Sequence, residues 1–347
     1  MPVSPLEYSA MRHHTFVRPL AAFTALFLAA CSSSSDSTSA SSLLFPSTLA
    51  EVQQSFSTPD PVVVVQGAIS TQAITGLRYA TRSPSEQLDL HLPTTGKGPF
   101  PVVLWIHGGG WRSGSRSLPS NSAQLSLVAN GIAVASIDYR LSQQAIFPAQ
   151  IQDVKAAVRW LRANATRYNL DPARIGAWGA SAGGHLAALL GTSAGAAQLS
   201  DPSLGNAMYS DRVSAVVDFF GPVAFRAMDA QLASNGCKLY AGTGHAAASS
   251  PPSLLVGAPI NTVPAIVTSA DPRTYLGAGD AAMLIQHGTT DCQVPHQQSS
   301  GLRNAFAKFV KPANVTYQAM AGYGHGDKRF YSASNLAKVV SFFKANL

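Results

Sequence analysis

The chain has 347 residues, 46% hydrophobic and 12% charged, with a formal net charge of +7. That apolar content excludes disorder for the bulk of the chain, and 28 Gly without period together with 3 Cys exclude a collagen or a disulfide-dense scaffold. No Lys/Arg block accompanies the positive excess, which speaks for solubility rather than nucleic-acid binding, and no apolar run reaches the roughly 18 residues that span a bilayer.

From the first residue on, Arg12, His13, His14 and Arg18 precede an apolar run over 20–30. A positive segment followed by an apolar one is the pattern of a secretory signal, assigned here to residues 1–30. The run ends Leu28-Ala29-Ala30-Cys31, which resembles the lipobox of bacterial lipoproteins. That resemblance implies cleavage before Cys31 and lipid on its sulfur; a plain signal with a chance Cys is the alternative. A Ser-rich stretch over 32–42, within a tether spanning 31–50, would let a globular domain stand off the membrane on its lipid anchor. Ser32 rather than Asp follows Cys31, which in the lipoproteins leans towards the outer membrane. The expected location is therefore the cell envelope, facing the periplasm or the outside. Export would leave Cys237 and Cys292 in an oxidising compartment, where a disulfide is expected. Closing that loop would remove about 4 kcal/mol of unfolded-state entropy; two free thiols are the alternative.

The remaining residues, 51–347, read as one catalytic-size domain of alternating strands and helices. Residues 101–107 (PVVLWIH) and 132–138 (IAVASID) are continuous apolar runs of the kind that form buried parallel strands. Over 147–165 the apolar residues fall three and four apart, which predicts an amphipathic helix with Lys155, Arg159 and Arg162 on its wet side. Further strands are expected at 174–179, 213–220, 282–287 and 315–319, and helices at 182–190 and over the last turns to Leu347. Residues 88–92 and 62–66 are expected as antiparallel edge strands. Strands separated by helices imply a mostly parallel sheet covered on both faces. The stretch 223–280, after the sixth strand, is rich in Ala, Ser, Gly and Pro and longer than a crossover needs, so it is expected to form a cap-like insertion shaping a pocket.

Gly179-Ala180-Ser181-Ala182-Gly183 matches G-x-S-x-G, and so does Gly191-Thr192-Ser193-Ala194-Gly195. Context separates the two. A nucleophile elbow needs a strand before it and a helix after it; Ser181 has both, whereas Ser193 follows a helix and marks its end. His107-Gly108-Gly109-Gly110-Trp111 directly follows a buried strand. Glycines there let backbone N–H groups approach an oxyanion. Ala182, at a helix N-terminus, is expected to add a second donor. Trp111 is a candidate for lining the acyl pocket, with a core role as the alternative. Asp291 and His325 each follow a predicted strand. His325 would take the Ser181 proton, and Asp291 would fix the imidazole tautomer. Asp218 is the second choice for the acid, and Asp138 with Arg140 is expected as a structural ion pair.

With these pieces in place, the sequence resembles the α/β-hydrolase superfamily. It is most similar to His-Gly-Gly-Gly esterases: the hormone-sensitive-lipase-like carboxylesterases and the bacterial feruloyl/acetyl xylan esterases. The residues carrying the likeness run from Tyr139-Arg140-Leu141 through Phe147-Pro148-Ala149, Asp153-Val154-Lys155 and Arg159-Trp160-Leu161-Arg162 to Ser181-Ala182-Gly183-Gly184-His185. The resemblance implies hydrolysis of short-chain acyl esters through an acyl-enzyme at Ser181, with acetyl or feruloyl groups on plant polysaccharide as candidate substrates. It carries the oxyanion role onto Gly109 and Gly110, and it implies no metal and no organic cofactor. A lipase or polyester hydrolase, a serine peptidase on the same fold, and a non-catalytic binding module are the competing readings.

Overall fold

The computed structural model describes residues 68–309 and 314–347. The expected signal, the tether, Cys31 and the strand at 62–66 lie outside the described residues. The chain forms β1 (Gln72–Arg78), β2 (Gln87–Leu92), β3 (Phe100–Ile106) and β4 (Ala133–Ile137), then α1 (Ala149–Ala163), β5 (Leu170–Ala180), α2 (Ala182–Thr192) and β6 (Ala215–Phe219). Three short helices follow in the insertion, α3 (Met228–Ser234), α4 (Pro251–Val256) and α5 (Pro264–Ser269). The chain then continues through β7 (Ala282–Gly288), α6 (Gln297–Phe306), β8 (Val315–Met320) and α7 (Ala333–Asn346).

One eight-stranded sheet results, in the order β1-β2-β4-β3-β5-β6-β7-β8. From β4 to β8 every neighbouring pair is parallel, whereas β2 runs antiparallel to both β1 and β4. Successive side chains on a strand point to opposite faces, and the apolar runs fill both. Val102, Leu104 and Ile106 of β3 join one core with Ile151, Val154, Val158 and Leu161 of α1 and Leu186, Leu189 and Leu190 of α2. Val103 and Trp105 join a second core with Leu336, Val339, Val340 and Phe343 of α7. A sheet buried on both faces explains why its strands lack polar alternation.

Three expectations need correction. The strand at 88–92 is antiparallel as expected but is not the edge, because β1 pairs along its outer side. Most of β1 is exposed or half-buried, so it offered no apolar alternation to read. Lys155 and Arg159 are buried rather than on a wet face. The segment between α2 and β6 folds over that side of α1. Lys155 Nζ donates to the Ser193 carbonyl (2.6 Å) and reaches Asp211 (3.0 Å), and Arg159 donates to the carbonyls of Asp201 and Gly205. Charges so buried persist only because each has oxygens around it. Lastly, Asp138 and Arg140 do not pair with each other. Asp138 binds Arg116, while Arg140 takes Asp153 at 2.6 Å with Glu86 behind it at 3.7 Å. Both residues lie just past the end of β4, where each is engaged by a partner distant in sequence instead.

The parallel arrangement brings the loops after β3, β5, β7 and β8 to the same edge of the sheet, where such folds carry their sites. The approach of α2 to β3 is close: a Cβ on Gly183 would lie 2.0 Å from the Ile106 carbonyl oxygen. Gly183→Ala should therefore destabilise the fold by about 1–3 kcal/mol and displace α2. Urea unfolding checks this, and an unchanged midpoint would contradict the packing described.

Candidate active site

Ser181 stands between the end of β5 and the first turn of α2 with φ 55° and ψ −120°. Its backbone N–H donates to the Phe219 carbonyl on β6 (2.8 Å), and its carbonyl accepts from His185 in α2 (3.0 Å). The turn is thus clamped from both sides, leaving the hydroxyl half-buried at the sheet edge. His325 Nε2 lies 3.0 Å from Ser181 Oγ, and His325 Nδ1 lies 2.7 Å from Asp291 Oδ2. An ionised carboxylate only accepts, so Nδ1 carries the hydrogen and Nε2 presents its lone pair to the Ser181 hydroxyl. The Phe220 ring meets the imidazole edge-on at 4.8 Å.

Asp291 is held more firmly than its pairing with His325 requires. Its Oδ1 accepts the backbone N–H groups of Gln293 (2.8 Å) and Val294 (2.9 Å). Its Oδ2 also lies 3.2 Å from Nε2 of the fully buried His287. That Nε2 faces the Val294 carbonyl at 2.8 Å as well, so it carries a hydrogen, and Nδ1 meets the Ser299 hydroxyl at 2.6 Å. Burial pushes the Asp291 carboxyl up, but hydrogen bonds from His287 and His325, with their charge, carry it well below the ordinary carboxylate range. The acid therefore stays ionised where the imidazole needs it. His287 was read only as a strand end. The available signal was its spacing of four residues before Asp291 across the turn that leaves β7.

The glycine loop after β3 lines the same cavity as Ser181 and His325. Gly109 has φ 105°, and a Cβ there would sit 2.2 Å from the Ser113 carbonyl oxygen, so no larger residue fits. Its own carbonyl accepts from Arg112 and Ser113 (3.1 and 3.2 Å), which rolls the loop into a tight turn. His107 braces it: Nδ1 reaches the Gly108 carbonyl at 2.8 Å, and the ring stacks on Tyr139 at 4.4 Å. Ala182 opens α2, where backbone N–H groups lack helical acceptors. Gly109, Gly110 and Ala182 thus all border the cavity. Trp111 is buried at the edge of the cavity. Its ring packs against His185 and Phe225 at 5.2 and 5.4 Å while also bordering the cavity. The second G-x-S-x-G serine, Ser193, caps the C-terminus of α2 and is buried.

The cavity has a volume of about 650 Å³. The insertion supplies part of its lining through Met228, Tyr240, His245, Pro251 and Pro252. Cys237 in the insertion and Cys292, next to Asp291, form a disulfide with a Cα–Cα distance of 5.5 Å. The bond ties one wall of the cavity to the loop that carries the acid. Asp218, the second choice for the acid, is buried and turned elsewhere. Its Oδ1 accepts the Gly221 N–H at 2.9 Å, and its Oδ2 has no partner among the described residues.

A strand–serine–helix elbow, a glycine loop after the neighbouring strand, and an acid and a histidine on the next crossovers define an α/β-hydrolase of the esterase type. The BD-FAE family model matches residues 88–306, more than half of the chain, and the chain belongs to that family. A solved truncated carbohydrate esterase from gut microbiota is 33% identical with a TM-score of 0.71, covering 79% of this chain and 95% of its own. A bifunctional GH43-CE protein of Bacteroides eggerthii is 30% identical with a TM-score of 0.68, covering 79% of this chain and 38% of that one. Esterase LipC of Mycobacterium tuberculosis is 29% identical over 251 residues, 70% of this chain and 57% of LipC. This chain therefore spans little more than half the length of that relative.

Burial raises the Asp218 carboxyl to about 6, against a partial pull downward from the Gly221 N–H and His287. The folded chain thus binds this proton more tightly than the unfolded one. The resulting cost is absent below about pH 4, grows as pH rises, and is complete above about 6. Asp218→Asn removes that dependence. Relative to the parent, its stability should improve by roughly 1–3 kcal/mol between pH 4 and pH 8. Urea melts at the two pH values check this; a difference that stays constant would show that Asp218 is not protonated on folding.

Proposed function

We propose that the protein is a serine carboxylesterase acting through an acyl-enzyme at Ser181. The observation that carries this reading is the continuous hydrogen-bond chain Ser181–His325–Asp291, at 3.0 and 2.7 Å, beside a glycine loop in one cavity. His325 Nε2 takes the Ser181 proton as Oγ attacks the acyl carbonyl carbon. The tetrahedral oxyanion accepts hydrogen bonds from the N–H groups of Gly109, Gly110 and Ala182; removing one such donor typically costs about 3 kcal/mol of transition-state stabilisation. The intermediate collapses, and the departing alkoxide takes the proton back from His325. Water then repeats the cycle on the acyl-serine, releasing the acid and restoring the Ser181 hydroxyl. Asp291 stabilises the imidazolium of both steps without taking a proton.

Acetyl or feruloyl esters of plant polysaccharide are the substrates we assign. The likeness to a carbohydrate esterase supports this, as does a cavity whose lining interleaves Arg112, Gln143, Gln293 and Tyr331 with apolar side chains. A groove for long acyl chains would need an unbroken apolar wall. We further assign export and lipid anchoring at Cys31, on the residues preceding the domain and on the oxidised Cys237–Cys292 pair.

Ser181→Ala should lower kcat at least about 1,000-fold while leaving the unfolding midpoint near that of the parent. Residual steady turnover near the parent rate would reject Ser181 as nucleophile. With the parent protein, kcat/KM for 4-nitrophenyl acetate should exceed that for the octanoate ester; the reverse order would move the substrate class to lipid or polyester. Cys31→Ser, expressed from the full chain, should leave the membrane fraction and appear soluble in the envelope extract. Continued co-sedimentation with membranes would reject the anchor.

A further inference from the structure

The insertion places in the cavity wall a buried histidine, His245, oriented by a half-buried carboxylate, Asp229, that the hydrolytic cycle does not use. Asp229, in the first turn of α3, accepts the backbone N–H of His245 on both carboxylate oxygens (2.8 and 3.0 Å). The same carboxylate lies 2.8 Å from His245 Nδ1. Since a carboxylate only accepts, Nδ1 carries the hydrogen, and the ring is turned so that Nε2 is its open edge. Tyr240 stacks on the imidazole at 4.9 Å. The Ser250 hydroxyl donates to the His245 carbonyl at 2.6 Å. The His245 side chain is only 5% exposed, yet it borders the cavity that holds Ser181 and His325. Among the described residues nothing bonds Nε2.

An imidazole oriented by a carboxylate, a stacked ring and its own backbone, lining a cavity with Nε2 unpartnered among the described residues, is arranged to receive a hydrogen-bond donor. A hydrocarbon chain laid against it would strip Nε2 of water and give nothing back, a cost that falls on any apolar ligand. A hydroxyl compensates the loss. The half-buried ring of Tyr240 stacks on it, and Pro251, Pro252 and Gln293 line the same cavity. Flat apolar faces beside isolated polar tips suit a sugar ring, which offers C–H groups on its faces and hydroxyls at its rim. We propose that His245 and Asp229 form a carbohydrate subsite, with His245 Nε2 accepting a hydrogen bond from a hydroxyl of the sugar that bears the ester. Asp229 acts as a positioning residue for that contact. The proposal rests on the carbohydrate-ester reading given above and specifies where the sugar is recognised.

The test separates recognition from bracing. In His245→Asn the side-chain amide can still donate to Asp229 but nothing occupies the Nε2 position. In His245→Gln the longer amide reaches that position. Binding of acetylated xylotetraose is measured by calorimetry on the full chain carrying Ser181→Ala, which removes turnover from the readout. His245→Asn should raise Kd about tenfold and His245→Gln no more than about threefold, with both unfolding midpoints near that of the Ser181→Ala parent. Unchanged affinity in His245→Asn, equal losses in both variants, or a parent that does not bind the oligosaccharide would each overturn the subsite. Acetate release by the wild type is followed separately. A wild type inert towards 4-nitrophenyl acetate and the oligosaccharide would end the hydrolytic reading, while the binding comparison still decides the subsite.

Discussion

Ser181 holds a backbone conformation that a non-glycine residue adopts only at a cost, of order 1–3 kcal/mol. The surrounding structure keeps it there. The N–H of Ser181 is committed to β6, its carbonyl to α2, and Gly183 lets the helix close on the end of β3. Relaxing the turn would break bonds on both sides of it. The strain thus becomes a fixed direction for one hydroxyl, and the cavity, the glycine loop and the imidazole are arranged around that direction. Preorganisation of this kind is what lets donors act on a transition state without first being moved.

Much of this was legible in the sequence because the fold is written in apolar runs. Strands β3, β4, β6 and β7 are buried on both faces, so most of their residues are apolar. The elbow and the glycine loop were legible for a related reason: steric crowding at Gly109 and Gly183 forbids other residues. Ser181, Asp291 and His325, each picked from its position after a strand, are the three side chains that hydrogen-bond in series. What escaped was governed by partners distant in sequence. Strand β1 has the exposure of an edge and so no pattern. Lys155 and Arg159 sit at helix positions that look wet until the segment before β6 folds across them. Asp138 and Arg140 are near neighbours in the chain, but Arg116 and Asp153, each more than ten residues away, take them as partners. His287 and His245 carry no signature of their own; their roles come from the carboxylates beside them.

Two histidines, each oriented by a carboxylate, border the cavity, and they differ in what the open nitrogen meets. At His325 it meets a hydroxyl of the protein; at His245 it meets no partner among the described residues. The same device, a carboxylate fixing one tautomer, serves proton transfer in the first case and hydrogen-bond acceptance in the second. The disulfide relates the two. Cys237 lies shortly before Tyr240 and His245, and Cys292 directly follows Asp291. Movement of the recognition segment and movement of the acid loop are therefore not independent, and a chain lacking the bond would lose register between what it binds and what it cleaves.

The order in which the sheet is assembled has a further consequence during synthesis. The nucleophile leaves the ribosome with the middle of the chain, but its base lies on the connection between β8 and α7, among the last elements to be made. Strand β8 can add only to β7, and β7 only to β6. Contacts this distant in sequence form late. A nascent chain would thus carry an exposed serine with no proton acceptor, chemically silent until its final crossover docks. Hydrolysis is delayed by topology alone until the whole domain has emerged, with no inhibitory segment needed to achieve it.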